Sequence, residues 1–157
     1  MNLSFKNQTI LITGGTRGIG KQLVNDLSSL NANLLITGTN ENEIISLNNQ
    51  SLEKKENKIF YCLNMLDSES VEKFIGDIKK VENIDCVVNN AGINRLNYIQ
   101  KSNDKDWDDM IKVNLTFPYK LVRNLSKKMI KNKYGRIVNI ASIFSKVSRE
   151  KRSIYTS

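Results

Sequence analysis

The sequence has 157 residues, of which 39% are hydrophobic and 25% are charged, a balance typical of a globular domain with its own hydrophobic core. No apolar run approaches the roughly 18 residues that a membrane-spanning helix requires, and the first residues do not resemble a secretory signal, so we expect a cytoplasmic protein without membrane segments. The net charge is +8 without any nucleic-acid-binding motif, and the absence of histidine excludes the commonest general base and metal ligand.

Short β-rich apolar runs alternate with longer segments of helical periodicity along the chain. Strands are predicted at residues 9–13, 33–37, 58–63, 85–89 and 136–141. Apolar residues recur at helical spacing in three sets, which are Ile19, Leu23, Leu27 and Leu30, then Val71, Phe74, Ile75 and Ile78, then Leu121, Leu125 and Met129. The predicted order is β-α-β-α-β-α-β-α-α-β.

This order predicts an α/β fold in which residues 1–157 form one doubly wound domain. Strands joined by helical crossovers lie parallel, and right-handed crossovers place helices on both faces of the sheet. The near-continuous apolar character of the central strands fits burial on both faces. We predict a Rossmann-like parallel sheet with strand order 3-2-1-4-5, whose fifth strand is an exposed, aggregation-prone edge.

Two features outside the strand pattern have structural interpretations. Cys62 and Cys86 lie in strand-like apolar runs and are expected to be small core residues on well-separated strands, so neither a disulfide nor a metal site is predicted. Seven basic residues cluster near the last predicted helix and are expected to form a solvated face: Lys120, Arg123, Lys127, Lys128, Lys131, Lys133 and Arg136.

The segment TGGTRGIG, residues 13–20, follows the first strand and opens the first helix, which is the context of a dinucleotide site. Gly14 permits the tight turn, Gly18 lets the backbone approach a pyrophosphate, and Gly20 allows the helix to pack closely on the sheet. The N-terminus of the helix offers N–H groups and a favourable dipole to phosphates. The sequence therefore predicts a bound dinucleotide.

Further motifs along the chain complete a pattern that begins with this glycine turn. The spacing T-G-x-x-x-G-x-G, the NNAG at residues 89–92, Asn114 in VNL, Ser142 at the end of NIAS and Tyr155 thirteen residues later together resemble the classical short-chain dehydrogenases/reductases. Within that superfamily the pattern is most similar to the β-ketoacyl-[acyl carrier protein] reductases. The resemblance extends from about Phe5 to the last residue.

The end of the second strand indicates which dinucleotide is bound. An NAD site usually has Asp or Glu there, and such a carboxylate would repel a 2′-phosphate. This sequence has TGTN at residues 37–40, while Arg17 in the glycine turn and the hydroxyl of Thr39 could contact that phosphate. We expect NADP(H), with NAD less favoured and dual use left open.

The resemblance also implies the remaining cofactor contacts. Asn64, where the family more often has Asp, and Met65 should flank the adenine, and Asn90 should contact the ribose side and tie neighbouring strands together. The expected cofactor-binding set is Gly14, Gly15, Thr16, Arg17, Gly18, Ile19, Gly20, Thr39, Asn64, Met65, Asn90, Ala91, Gly92 and Tyr155.

Reduction of a carbonyl needs a hydride donor, an acid for the developing alkoxide and hydrogen bonds to the oxygen. Without histidine, Tyr155 is the natural acid, Ser142 would bind the substrate carbonyl, and Asn114, by the family pattern, would help to hold a water in a proton relay. In the family a lysine four residues after the tyrosine supports it, and that position lies beyond Ser157. We therefore expect a truncated reductase whose 157-residue form is inactive.

The expected function is NADPH-dependent reduction of 3-oxoacyl groups on acyl carrier protein, as in fatty acid synthesis. Two alternatives remain open, which are reduction of another carbonyl, such as one derived from a sugar or polyol, and a non-catalytic dinucleotide-binding role. The resemblance implies a homo-oligomer when the protein is complete. The basic helix would then contribute to a subunit interface or steer an acidic carrier.

Overall fold

The computed structural model describes residues 3–156. Ser157, after which the lysine of the family pattern was expected, lies outside the described residues. Strands and helices alternate in the predicted order. The strands are β1 (Thr9–Ile12), β2 (Asn33–Gly38), β3 (Lys58–Cys62), β4 (Cys86–Asn89) and β5 (Arg136–Asn139). The α-helices are α1 (Gly18–Ser29), α2 (Glu41–Glu53), α3 (Ser68–Lys80), α4 (Asp104–Ile111) and α5 (Phe117–Lys131).

The five strands form one parallel sheet in the order β3-β2-β1-β4-β5, which confirms the predicted fold class and topology. Leu11 of β1 lies opposite Leu35 of β2 on one side and Val87 of β4 on the other. The chain therefore reverses its direction of winding at β1, and the carboxyl ends of β1 and β4 open a crevice between them, where such sheets bind ligands.

Alternating side chains of the strands are buried on opposite faces of the sheet, as the apolar runs predict. Leu11, Leu35 and Val87 join a core cluster with the apolar faces of α3 and α5. Ile12 and Ile36, which neighbour two of these residues in sequence, belong to a second cluster with residues of α1 and α2. Burial on both faces explains why these strands lack the polar alternation of a half-exposed sheet.

The helical connection between β4 and β5 differs from the simple pair of helices that the sequence predicts. A π-helical turn, Lys112–Thr116, joins α4 directly to α5 without a loop. Within residues 3–156, no helix combines the length and apolar character needed to cross a bilayer. A π-helical turn such as Lys112–Thr116 often marks a functional site in a helix.

The edges of the sheet agree with one prediction and correct another. Ile137 and Val138 of β5 are each 44% exposed, which confirms the predicted apolar edge strand. Cys62 was expected in the core but is exposed, because it is the last residue of the opposite edge strand, β3. Cys86 is half-buried, its burial raises the pKa of its thiol, and both cysteines are free.

Candidate functional site

The turn between β1 and α1 brings the start of the helix against the end of the sheet. Gly14 and Gly18 have φ angles of +65° and +55°, in the left-handed region that glycine adopts readily. A Cβ atom on Gly20 would overlap the carbonyl oxygen of Gly14 and approach the amide of Asn90. The geometry is the one that the sequence predicts, with a tight turn at Gly14 and close helix packing at Gly20.

The first turn of α1 differs from that of the next three helices. The side chains of Asn40, Asp67 and Asn103 cap α2, α3 and α4 by accepting hydrogen bonds from backbone N–H groups. The residue before α1 is Arg17, whose side chain makes no such bond. The N-terminus of α1 thus keeps uncapped donors and a positive dipole end for an anion.

Two threonines that the sequence analysis did not single out hold the turn in place. The hydroxyl of Thr13 accepts hydrogen bonds from the backbone N–H groups of Asn90 (3.1 Å) and Ala91 (3.0 Å), and that of Thr37 accepts one from Gly14 (3.1 Å). Both threonines are almost completely buried. A threonine at the carboxyl end of an apolar strand is the sequence signal that could have identified them, because a buried hydroxyl needs a hydrogen-bond partner.

Asn90 connects the glycine turn to the loop after β4. Its Nδ2 group donates to the carbonyl oxygens of Thr13 (2.9 Å) and Gly14 (3.0 Å). The side chain therefore ties the ends of β1 and β4 together, as predicted. Its predicted contact with the ribose remains a prediction.

A cavity of about 350 Å³ opens between the glycine turn and the ends of β2, β3 and β4. Of the predicted cofactor residues, eleven line it, whereas Gly15, Gly18 and the later Tyr155 do not. Ile19, which the sequence places on the apolar stripe of α1, is 65% exposed and faces this cavity. The full lining is Gly14, Thr16, Arg17, Ile19, Gly20, Thr37, Gly38, Thr39, Leu63, Asn64, Met65, Leu66, Asn90, Ala91, Gly92, Ile93 and Val113.

The described lining of the cavity carries positive charge only. Among residues 3–156, the lining includes a single ionisable cation, Arg17, and no carboxylate. Thr39 follows the end of β2 and lies at the same cavity, and the next residue, Asn40, uses its side chain to cap α2. The wall around Arg17 and Thr39 therefore suits an anionic group better than a pair of neutral hydroxyls.

The predicted adenine contacts occupy another part of the lining. Met65 is buried and presents an apolar surface, while Asn64 is exposed. The Asn64 Oδ1 atom accepts a hydrogen bond from the N–H of Leu66 (3.0 Å), which fixes the amide and leaves one acceptor position on that oxygen. An apolar surface beside a fixed amide can bind a flat heteroaromatic ring with exocyclic donors.

Asn114 lies in the π-helical turn and binds the loop after β4 from the other side. Its Oδ1 accepts from the N–H of Ile93 and its Nδ2 donates to the Ile93 carbonyl, both at 2.9 Å. The side chain therefore positions the stretch that leads from Gly92 along the cavity wall. Its predicted part in a proton relay remains a prediction.

Phe144 contacts both Ser142 and Tyr155. The Ser142 Oγ atom accepts a hydrogen bond from the N–H of Phe144 (3.2 Å), and the Phe144 ring contacts the Tyr155 ring edge to face at 6.4 Å. Both residues are half-buried and neither lines the cavity. The structure thus brings the predicted catalytic pair onto one short segment that follows β5.

Comparison with known proteins agrees with this arrangement. The profile of the family described as short chain dehydrogenase matches residues 8–157. The chain is 36% identical over 145 residues to the 3-oxoacyl-[acyl-carrier-protein] reductase FabG of Aquifex aeolicus, covering 91% of this chain and 58% of that protein. The corresponding enzyme of Haemophilus influenzae is 37% identical over 134 residues, covering 85% and 54%. The chain spans little more than half the length of these curated relatives.

Solved structures show the same fold. A gluconate 5-dehydrogenase from Burkholderia cenocepacia, solved in complex with NADP and tartrate, superposes with a TM-score of 0.86 at 27% identity, covering 99% of this chain and 61% of that one. A metagenomic short-chain oxidoreductase in complex with NADP gives a TM-score of 0.84 at 28% identity, covering 99% and 71%. Both the profile match and these similarities show that the chain belongs to the short-chain dehydrogenase family of oxidoreductases.

Proposed function

We propose that the protein is an NADPH-dependent oxidoreductase that reduces a ketone to a secondary alcohol, with a 3-oxoacyl group on acyl carrier protein as its substrate. The observation that carries this proposal is the cavity at the glycine turn, which has one cation, Arg17, and no carboxylate among the described lining residues. The half-buried pair Ser142 and Tyr155 beyond the cavity supports the assignment of the chemistry.

The residues present fit NADP(H). The uncapped start of α1 and the close approach at Gly20 would hold the pyrophosphate, since a side chain at Gly20 would close this cradle. Arg17 and Thr39 would bind the 2′-phosphate, and Asn64 and Met65 the adenine. When bound, the reduced cofactor supplies the hydride.

The proposed catalytic roles follow from hydroxyl chemistry. Tyr155 would donate its phenolic proton to the alkoxide that forms at the substrate oxygen. Ser142 would donate a hydrogen bond to the same oxygen and so stabilise its developing charge. Asn114 has both ends of its amide engaged by the backbone of Ile93, so we propose that its part in a proton relay runs through the helix backbone around it.

The choice of substrate is supported by the named relatives. The Aquifex aeolicus and Haemophilus influenzae proteins act, by their names, on 3-oxoacyl groups of acyl carrier protein. A sugar acid is the second candidate, because the similar Burkholderia cenocepacia structure is a gluconate 5-dehydrogenase with tartrate bound. Both candidates involve a ketone–alcohol pair and the same catalytic residues.

We also propose that the protein self-associates through the exposed face of α5 and the π-helical turn. Leu115, Tyr119 and Ile130 are 63%, 61% and 75% exposed, and Tyr119 and Ile130 lie eleven residues, or about three helical turns, apart on one face. Exposed apolar surface of this kind is characteristic of protein interfaces. Three of the neighbouring basic residues have contacts within the chain: Lys128 donates to the carbonyls of Lys79 and Val81, Arg123 lies over the Tyr119 ring, and Arg136 donates to the Gly135 carbonyl. The other lysines of this set are the candidates for contact with an acidic carrier.

The test compares substrates on the protein as its own gene encodes it. NADPH oxidation with acetoacetyl-[acyl carrier protein] should exceed, in kcat/KM, NADP reduction with gluconate. Tyr155→Phe should lower the first activity at least about a hundredfold without loss of NADPH binding, because it removes only the proton donor. Tyr134→Phe, at an exposed ring, is the matched control.

Two results would contradict the proposal. Faster turnover of gluconate than of the carrier-linked substrate would assign the enzyme to sugar acids. Tight NADPH binding without any turnover of either substrate would support the non-catalytic alternative.

A further inference from the structure

The segment that carries Tyr155 also carries a cation without an acidic partner. Arg152 is half-buried, and no carboxylate within residues 3–156 forms an ion pair with it. The acid nearest in sequence, Glu150, instead accepts a hydrogen bond from the hydroxyl of Tyr98 (3.0 Å). No carboxylate of the described residues therefore offsets the positive charge of this guanidinium, which is available to an entering anion.

The guanidinium group of Arg152 is stacked on the ring that also contacts Tyr155. Its Cζ atom lies 4.2 Å from the centroid of the Phe144 ring, and the Phe144 and Tyr155 rings meet at 6.4 Å with an interplanar angle of 71°. Stacking uses the flat face of a guanidinium and leaves the N–H groups along its edge free to bind an oxyanion in bidentate fashion. The cation is therefore oriented as well as charged.

The backbone holds Arg152 between the proposed catalytic residue and the loop after β4. Arg152 forms an isolated parallel bridge with Asn97, and the neighbouring Ser153 hydroxyl donates to the Asn97 carbonyl at 3.1 Å. The N–H of Thr156 donates to the Arg152 carbonyl at 3.0 Å, which closes a helical turn around Tyr155. Arg152 thus has a defined position within one turn of Tyr155.

Neighbouring cations are already occupied by other groups. Arg95 has Asp106 and Asp109 at 3.8 and 3.7 Å, and a hydrogen bond from Lys105 holds the pKa of Asp109 below its ordinary value, so that this carboxylate is charged at neutral pH. Lys151 lies over the ring of Tyr98, 5.4 Å from its centroid. Arg152 is the cation of this region that combines partial burial with a free donor edge.

We propose that Arg152 binds an anionic group of the substrate and makes the enzyme selective for charged carbonyl compounds. This inference rests on the proposed function, because it takes Tyr155 as the residue beside the reacting carbonyl. The group is an oxyanion, either a carboxylate of the substrate itself or the phosphodiester of a carrier's prosthetic arm. A carboxylate close to the carbonyl would belong to the sugar-acid candidate, and the phosphodiester to the carrier-linked candidate, so the identity of the anion also distinguishes the two substrates.

The experiment uses two pairs of probes that differ in charge, on the protein as its gene encodes it. The first pair is acetoacetate and ethyl acetoacetate, and the second is acetoacetyl-[acyl carrier protein] and its neutral N-acetylcysteamine thioester. Arg152→Gln should raise the KM for the charged member of one pair at least about tenfold with little change in kcat, because it removes binding that is equal in the ground and transition states. The neutral members should keep their kinetic constants within about twofold.

Controls separate recognition from general damage and from failure of the proposed function. Arg149→Gln makes the same change of charge on an exposed residue of the segment and should alter neither pair. Arg152→Lys should restore part of the affinity. Calorimetric titration of the NADP-saturated protein with acetoacetate and with ethyl acetoacetate measures anion binding without requiring turnover.

The outcomes assign or overturn the site. A loss confined to acetoacetate identifies a substrate carboxylate, and a loss confined to the carrier-linked probe identifies the phosphodiester. An equal loss for charged and neutral probes, or none, contradicts the inference even if carbonyl reduction is intact. If no probe is reduced, the proposed function fails. Equal calorimetric affinities of wild type and Arg152→Gln for acetoacetate and, in the same titration, for acetoacetyl-[acyl carrier protein] then overturn the inference independently.

Discussion

Gly20 and Gly76 are both helical glycines, but their surroundings are opposite. A Cβ atom at Gly20 would overlap the Gly14 carbonyl, whereas one at Gly76 would meet no atom within 4 Å. Gly20→Ala should therefore destabilise the protein by about 1–3 kcal/mol through overpacking and weaken NADPH binding. Gly76→Ala should stabilise it by about 0.5–1 kcal/mol, because alanine is the better helix former. Thermal unfolding of both variants tests the prediction, and a change of the same sign in both would contradict it.

Arg17 is expected to determine the preference between the two dinucleotides. Arg17→Gln should weaken NADPH binding about tenfold or more and leave NADH binding unchanged, since only NADPH carries the 2′-phosphate. Lys21→Gln, at an exposed cation one turn further along α1, is the control for net charge and should have little effect. Fluorescence titration with both cofactors provides the measurement. Equal losses of affinity for NADPH and NADH in Arg17→Gln would show that this residue does not bind the 2′-phosphate.

At the residue scale, the sequence predicted what depends on backbone conformation better than what depends on contacts. The glycine spacing predicted the turn between β1 and α1, because only glycine fits that turn and the close approach at Gly20. The buried hydroxyls of Thr13 and Thr37 were not predicted, because threonine is also an ordinary strand residue. Ile19 matched a helical apolar stripe but faces the cavity, and periodicity cannot distinguish a surface that binds protein from one that binds a ligand.

The π-helical turn between α4 and α5 contacts the candidate site through the side chain of Asn114. Asn114→Ala would leave the N–H and the carbonyl of Ile93 without their partner, so we expect a loss of about 2 kcal/mol in the free energy of unfolding and weaker NADPH binding. Asn124→Ala removes one exposed bond to the Lys120 carbonyl within α5 and should change stability by less than about 0.5 kcal/mol.

Chemical denaturation and NADPH titration of the two asparagine variants check this prediction. If Asn114→Ala proved as stable and as tight-binding as Asn124→Ala, the side chain of Asn114 would not position the cavity wall. A loss of stability with unchanged NADPH affinity would separate the fold from the site.

At the element scale, the strands and their order were predictable because short apolar runs between helical segments leave few topologies. The join between α4 and α5 was not, because a π-turn depends on one inserted residue that no periodic pattern reveals. Cys62 was misplaced for a related reason. Apolar runs look alike in central and edge strands, and only the full sheet shows that β3 is an edge.

At the scale of the whole molecule, the exposed face of α5 predicts association between copies of the chain. The protein should sediment as an oligomer at micromolar concentration, and Leu115→Lys should shift it toward the monomer, because a charge would be buried at the interface. Leu52→Lys, on the 76% exposed leucine of α2, is the matched control and should leave the oligomer intact. A monomeric wild type, or equal effects of the two substitutions, would contradict the proposed interface.

A cavity that suits a cofactor and the segment with the proposed catalytic residues lie at neighbouring strands of the sheet. The cavity lies at the end of the sheet where β1 and β4 diverge, and the segment with Ser142 and Tyr155 follows β5. Family membership was predictable from the spacing of glycines, serine and tyrosine, because that spacing encodes both the fold and the chemistry. The substrate was not, since the segments beside Tyr155 carry no motif that names one.

Transfer of hydride from the cofactor to a carbonyl carbon is the central claim, and isotopic labelling measures it directly. The protein as its gene encodes it would be incubated with NADPH deuterated at both C4 positions and with acetoacetyl-[acyl carrier protein]. We predict a 3-hydroxyacyl product that carries one deuterium on its carbinol carbon, formed by wild type and at least about a hundredfold more slowly by Tyr155→Phe. Binding of NADPH without formation of labelled alcohol would contradict the account.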